Sequence, residues 1–303
     1  MTEVLSQAFA LVFIIALGFT FKRAGWARND HFTMLSRAVL YVTLPAMLMT
    51  AFNSFDFTPR LLLLSLFGFG VTMGLHVLGW LMSRTGSHTE KAFGILNVST
   101  FNLGSFATPY VALFIGSHAV IYTSLIDVGV AFATAGIAFG WAKSLTAERG
   151  TISPLGFLRL MFTNPVFITY LFLLVMRVLD LHLPEFVINV TTPIGAANPF
   201  LAMFMIGIGL EIRLRRDKYR TAFRLLAVRY LVVIAVGIAA WFLLPFERDI
   251  RVIVSVVLAS PIAVLAAAFT LDTKGDVELS TFMTSISVLV SIVAMPALFL
   301  VLS

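Results

Sequence analysis

The chain has 303 residues, of which 59% are hydrophobic and 12% charged, with a formal net charge of +6 and a mean hydropathy of +0.98. That balance excludes a soluble domain built round a large core and describes a polytopic membrane protein. Cysteine is absent, which excludes disulfides, thiol catalysis and thiolate metal sites.

Apolar runs of about 20 residues, bounded by charge or turn signals, predict about ten membrane spans joined by short linkers. The first, near 4–21, ends in Lys22 and Arg23 without a small-residue cleavage site and reads as a helix rather than a signal peptide. The second, near 31–52, carries YVTLPAMLM with Pro45, and the third, near 59–82, carries His76 and the small-residue stretch GFGVTMG. The fourth, near 91–115, contains STFNLGSFATPYVALF, where Asn102, Gly104, two hydroxyls and Pro109 interrupt an otherwise apolar run. The fifth, near 118–142, holds Asp127; the sixth lies near 156–179. The seventh, near 186–210, carries GAANPFLAMFM with Pro199, and the eighth, near 221–244, carries Arg229. The ninth, near 250–271, contains LASPIAVLAAAF with Pro261, and the tenth lies near 279–302.

Lys and Arg at span ends favour the cytoplasmic side. Sixteen basic residues fall after odd-numbered spans, among them Arg213, Arg215, Arg216, Lys218, Arg220 and Arg224, against Arg60, Arg177, Arg248 and Arg251 on the other side. Both termini are therefore expected on the non-cytoplasmic side. The positive net charge reflects this topology rather than a nucleic-acid surface.

Pro45 is matched by Pro199 and Pro109 by Pro261, each pair separated by about half the chain. This implies two five-helix repeats, 1–150 and 151–303. Five is odd, so the second repeat enters the membrane inverted. The expected fold is an all-α membrane protein of ten transmembrane helices in two inverted repeats, with proline-broken helices 4 and 9 crossing near the midplane.

Proline lacks an amide hydrogen and crowds the carbonyl four residues back, so openings are expected at Ser105 and Val257. Two half-helix N-termini with open amides would suit a carboxylate. Asn102, Gly104, Ser105, Thr108, Pro109, Ser260 and Pro261 are the candidate substrate-binding residues. The hydroxyls can instead bond back to their own helix. Asp127, an intramembrane carboxylate, is a candidate for proton or cation coupling or else a packing residue. Arg229 reads as a snorkelling or structurally paired side chain, and His76 as packing. The five histidines show no metal-ligand spacing, and no nucleophile elbow or nucleotide loop occurs, so neither an enzyme nor a cofactor is expected.

NLGSFATPYVALFIG at 102–116 resembles the N-x-G-x-x-G-x-P segment of the fourth helix in the auxin efflux carrier family, which includes plant PIN-formed proteins and bacterial malonate and malate permeases. Leu44–Ala46, Asn164–Pro165 and IGIGLEI at 206–212 resemble further motifs of that family. Ala107 replaces the second glycine, and Leu265 stands where many bacterial members have asparagine, which makes the expected polar contacts lopsided toward Asn102. The resemblance implies a scaffold unit from 1–55 and 155–215 and a transport unit from 56–145 and 218–303. It also implies an elevator-type secondary transporter of small organic anions, a homodimer in the cytoplasmic membrane. A sodium/proton antiporter using Asp127 is the alternative.

Overall fold

The computed structural model describes residues 2–53, 58–146, 162–163 and 165–302; Asn164 of the Asn164–Pro165 motif lies outside them. Every regular element among the described residues is helical. The chain forms two compact units, one of Met1–Leu62, Leu103–Leu125 and Phe162–Leu210, the other of Leu63–Asn102, Ile126–Met161 and Glu211–Ser303. The first unit includes 103–125, a stretch that the sequence-based grouping assigned with 56–145.

In the first unit, α1 (Thr2–Arg23) packs on α11 (Asn198–Gly209) backbone to backbone. A Cβ at Gly18 would lie 2.2 Å from the Phe204 carbonyl oxygen, and one at Gly207 would lie 2.1 Å from that of Ile15. Next come α2 (Asn29–Ala38) and α3 (Leu44–Asn53), joined through a π-helical turn, Val39–Thr43. Buried Asn198 accepts from the Thr43 hydroxyl at 2.7 Å, tying that turn to the start of α11. α9 (Pro165–Val178) and α10 (Glu185–Ala196) both pack on α3. The unit also holds α6 (Thr108–Phe114), preceded by a second π turn, Leu103–Ala107.

The two π turns share one cause. Pro45 and Pro109 are each the second residue of the α-helix that follows, and their rings press toward the carbonyls of Tyr41 and Ser105. Both carbonyls lie inside the π turns, whose wider winding takes up the clash. The opening expected at Ser105 is therefore replaced by a wound π segment, and the helical gap lies upstream.

The second unit begins with α4 (Leu62–Met82) and α5 (His88–Ser99), which touch where Gly79 and Gly94 face each other. A capping box starts α5: Glu90 Oε2 accepts from the Ser87 amide at 2.7 Å, and Ser87 Oγ accepts from the Glu90 amide at 3.2 Å. These bonds hold the exposed Glu90 carboxyl below its ordinary range. α7 (Ser117–Ala131), whose residues up to Leu125 are counted with the first unit, continues through a π segment, Phe132–Ala138, into α8 (Phe139–Thr146). Then follow α12 (Tyr219–Leu243), α13 (Arg248–Leu258), α14 (Leu265–Asp272) and α15 (Val277–Leu302). Ala92, Ile95 and Leu96 of α5 pack with Ala138, Phe139 and Phe269, and the two phenylalanine rings stack at 4.3 Å.

Among the described residues, six continuous helical stretches are long and apolar enough to cross a membrane: Asp30–Asn53, Pro59–Met82, Ser117–Thr146, Glu185–Gly209, Arg216–Leu243 and Val277–Leu302. The expected fourth and ninth spans are instead pairs of short helices separated by non-helical chain.

Candidate functional site

The first interruption follows α5. Ser99 turns its hydroxyl back to the Ile95 carbonyl at 2.6 Å, Thr100 is extended at φ −75° and ψ 146°, and the chain stays non-helical through Asn102. Ser, Thr and Asn compete with helical hydrogen bonds through their own side chains, which is why the gap falls here rather than at the proline. The second interruption follows α13. Amides of Ala259 and Ser260 bond to the carbonyls of Val256 and Val257 at 3.1 and 3.0 Å, tightening the last turn, and the chain is non-helical over 260–263. The Val257 carbonyl, expected to be opened by Pro261, is thus satisfied.

The interruptions meet through the backbone. The Asn102 amide donates to the Pro261 carbonyl at 2.8 Å. From α15, Ser287 Oγ accepts from the Ile262 amide at 2.9 Å, while Ser291 Oγ donates to the Ala259 carbonyl at 2.7 Å. Tyr230 of α12 donates to the Ser287 carbonyl at 2.7 Å. The amides of Asn102 and Ile262 are therefore both engaged within the protein.

Arg229 supplies the charge at this crossing. Its side chain is fully buried. Nη1 donates to the Val98 carbonyl and Nη2 to the Ser260 carbonyl at 3.2 Å, while the guanidinium carbon lies 4.6 Å from the centre of the Phe101 ring. Val98 is in the last turn of α5, and Ser260 lies just past the end of α13, so the cation faces the negative ends of two helix dipoles. Each such bond to a charged group is worth about 1.5–3 kcal/mol and the ring contact about 2 kcal/mol when dry. These offset the several kcal/mol that burying the charge costs. The full positive charge missing from both crossing segments arrives from the eighth predicted span.

Around this charge, the hydroxyls of Thr100 and Ser260 are buried with no hydrogen-bond partner among the described residues, as is Arg229 Nε. Asn102 is 5% exposed. The geometry thus brings together Asn102, Ser260 and Pro261 of the expected site. Gly104, Ser105, Thr108 and Pro109 belong to the other unit; Thr108 and Pro109 are buried there, Gly104 and Ser105 half-buried, and the Thr108 hydroxyl has no partner among the described residues. Asp127 is half-buried on α7. Leu265, at the start of α14, is 51% exposed and brings no polar group. Thr100, Tyr230, Ser287 and Ser291 were missed from the sequence, whereas Arg229 was noted there as a snorkelling or structurally paired side chain. Ser280, Thr284, Ser287 and Ser291 lie at helical spacing on α15, a polar stripe that would have marked the supporting helix.

Residues 3–150 match the family model described as membrane transport protein, and residues 198–303 match that of the sodium bile acid symporter family. The first half of the chain is thus similar to membrane transport proteins, and its last third to sodium bile acid symporters. Both matching families consist of transporters rather than enzymes, and this one is an integral membrane transporter. No individual curated protein matches the transporter.

Proposed function

We propose that the transporter moves small organic anions, carboxylates in particular, across the cytoplasmic membrane by an elevator-type alternating-access mechanism. Ten spans in two inverted repeats, 1–150 and 151–303, both termini on the non-cytoplasmic side and a homodimeric assembly complete the proposal. In it, 1–55 and 155–215 form the scaffold, while 56–145 and 218–303 form the transport unit. The observation that carries it is the crossing bond from Asn102 to Pro261, set beside a buried guanidinium and the unpartnered hydroxyls of Thr100 and Ser260. Hydroxyl donors in a positive field favour an anion without locking it in place, as a carrier requires. Asn102, Gly104, Ser105, Thr108, Pro109, Ser260 and Pro261 are the proposed binding positions.

Uptake of labelled carboxylates by proteoliposomes tests the proposal. Saturable uptake that Asn102→Ala lowers by about tenfold or more supports it, and no uptake of any carboxylate in a working reconstitution refutes it. The half-buried carboxylate of Asp127 on a long apolar helix favours a second reading, a sodium/proton antiporter. Cation exchange lost in Asp127→Asn, with no response to organic anions, would establish that reading instead.

A further inference from the structure

Arg229 is a fully buried cation whose hydrogen-bond acceptors, among the described residues, are main-chain carbonyls rather than a carboxylate. The two carbonyls come from different interruptions, one from the end of α5 and one from just beyond α13. Carbonyls freed where membrane helices unwind, together with the negative ends of half-helices, form the usual setting for an exchangeable cation such as sodium. Here a side chain on α12 occupies that setting permanently, with the Phe101 ring against the guanidinium face.

We infer that Arg229 is a tethered cation that closes the crossing in place of a dissociable one, so that the crossing holds its geometry without sodium. The guanidinium neutralises both helix ends at once, because its planar fork can donate in two directions. A lysine there keeps the charge but reaches fewer acceptors at good geometry. An uncharged residue leaves two buried carbonyls facing one another across a space vacated by a cation, which a small cation could then enter. This inference rests on the crossing geometry and is independent of the substrate assigned above. Its test reads stability rather than transport, so the two can fail separately.

The experiment compares melting of the purified full-length wild type, Arg229→Ala and Arg229→Lys in sodium chloride and in choline chloride at equal ionic strength. Low-millimolar methylguanidinium chloride or urea is added in parallel. The wild type should melt at the same temperature in sodium and choline. Arg229→Ala should melt at least about 5 °C lower in choline, recover at least half of the loss with sodium or methylguanidinium, and ignore urea. Arg229→Lys should lie between the two and show no sodium response.

Sodium stabilising the wild type over choline would overturn the inference. So would an Arg229→Ala protein that is equally weakened in every salt, since that marks lost packing alone, or one as stable as the wild type. If Arg229→Ala yields no folded protein, Arg229→Lys decides: melting near the wild type without a sodium response upholds a tethered charge, and failure to fold or a new sodium response overturns it.

Discussion

The amide of Asn102 donates to the carbonyl of Pro261 at 2.8 Å, joining two chain breaks that are about 160 residues apart in sequence. The bond uses the backbone at both ends, so replacing the Asn102 side chain does not remove it.

Asn102→Ala should therefore lower carboxylate uptake by about 10- to 100-fold, the effect of one hydrogen bond to a charged group, while the melting temperature stays within a few degrees of wild type. Uptake rates and thermal unfolding of the same preparation check both halves of the expectation.

Ser287→Ala removes the acceptor of the buried Ile262 amide. An unsatisfied buried donor costs about 1–3 kcal/mol, so this variant should melt several degrees below wild type. Substituting exposed residues of α15 such as Val293, 70% accessible, should have little effect in the same assay.

Two glycines give opposite expectations. A Cβ at Gly129 would sit 1.8 Å from the Ser65 carbonyl oxygen, whereas one at Gly74 meets nothing within 4 Å. Gly129→Ala should destabilise by about 1–3 kcal/mol through forced separation of α4 and α7. Gly74→Ala should be neutral or stabilising, by up to about 1 kcal/mol, through reduced backbone entropy.

Lys218, in the short 3-10 turn Arg216–Lys218 before α12, donates to Asp276 at 2.9 Å and Glu278 at 2.7 Å. Those bonds, Asp276 first, raise its pKa above the ordinary 10.5. A cation whose folded value is raised stabilises fully below its unfolded value, and that contribution disappears as pH climbs through the folded one. Lys218→Met should thus lower stability modestly at neutral pH, by up to about 1 kcal/mol for a partly exposed cluster. The gap to wild type should close both in high salt and in strongly alkaline buffer, as read by unfolding at several pH values.

Part of this arrangement is legible in the sequence. Hydropathy marked the membrane helices, and the matched prolines marked the two segments that break. The position of the first break was not legible, because a proline advertises strain at its own site while the π turn Leu103–Ala107 absorbs that strain. The gap instead falls at Thr100–Asn102, where side chains compete with the backbone. Arg229 was read as a snorkelling or structurally paired residue; it is paired, but its partners were not legible. Its partners are carbonyls, which every residue carries and no sequence pattern distinguishes.

The turns before Pro45 and Pro109 also set helical phase. A π turn holds roughly one residue more than an α turn, so each inserts a step of about 100° between the faces upstream and downstream. The inward side of 44–53, with Leu44, Met47 and Leu48 buried, is consequently out of register with the periodicity of 29–38. Deleting one residue within 39–43 would restore continuous α winding and turn Met47 off the face that meets α10.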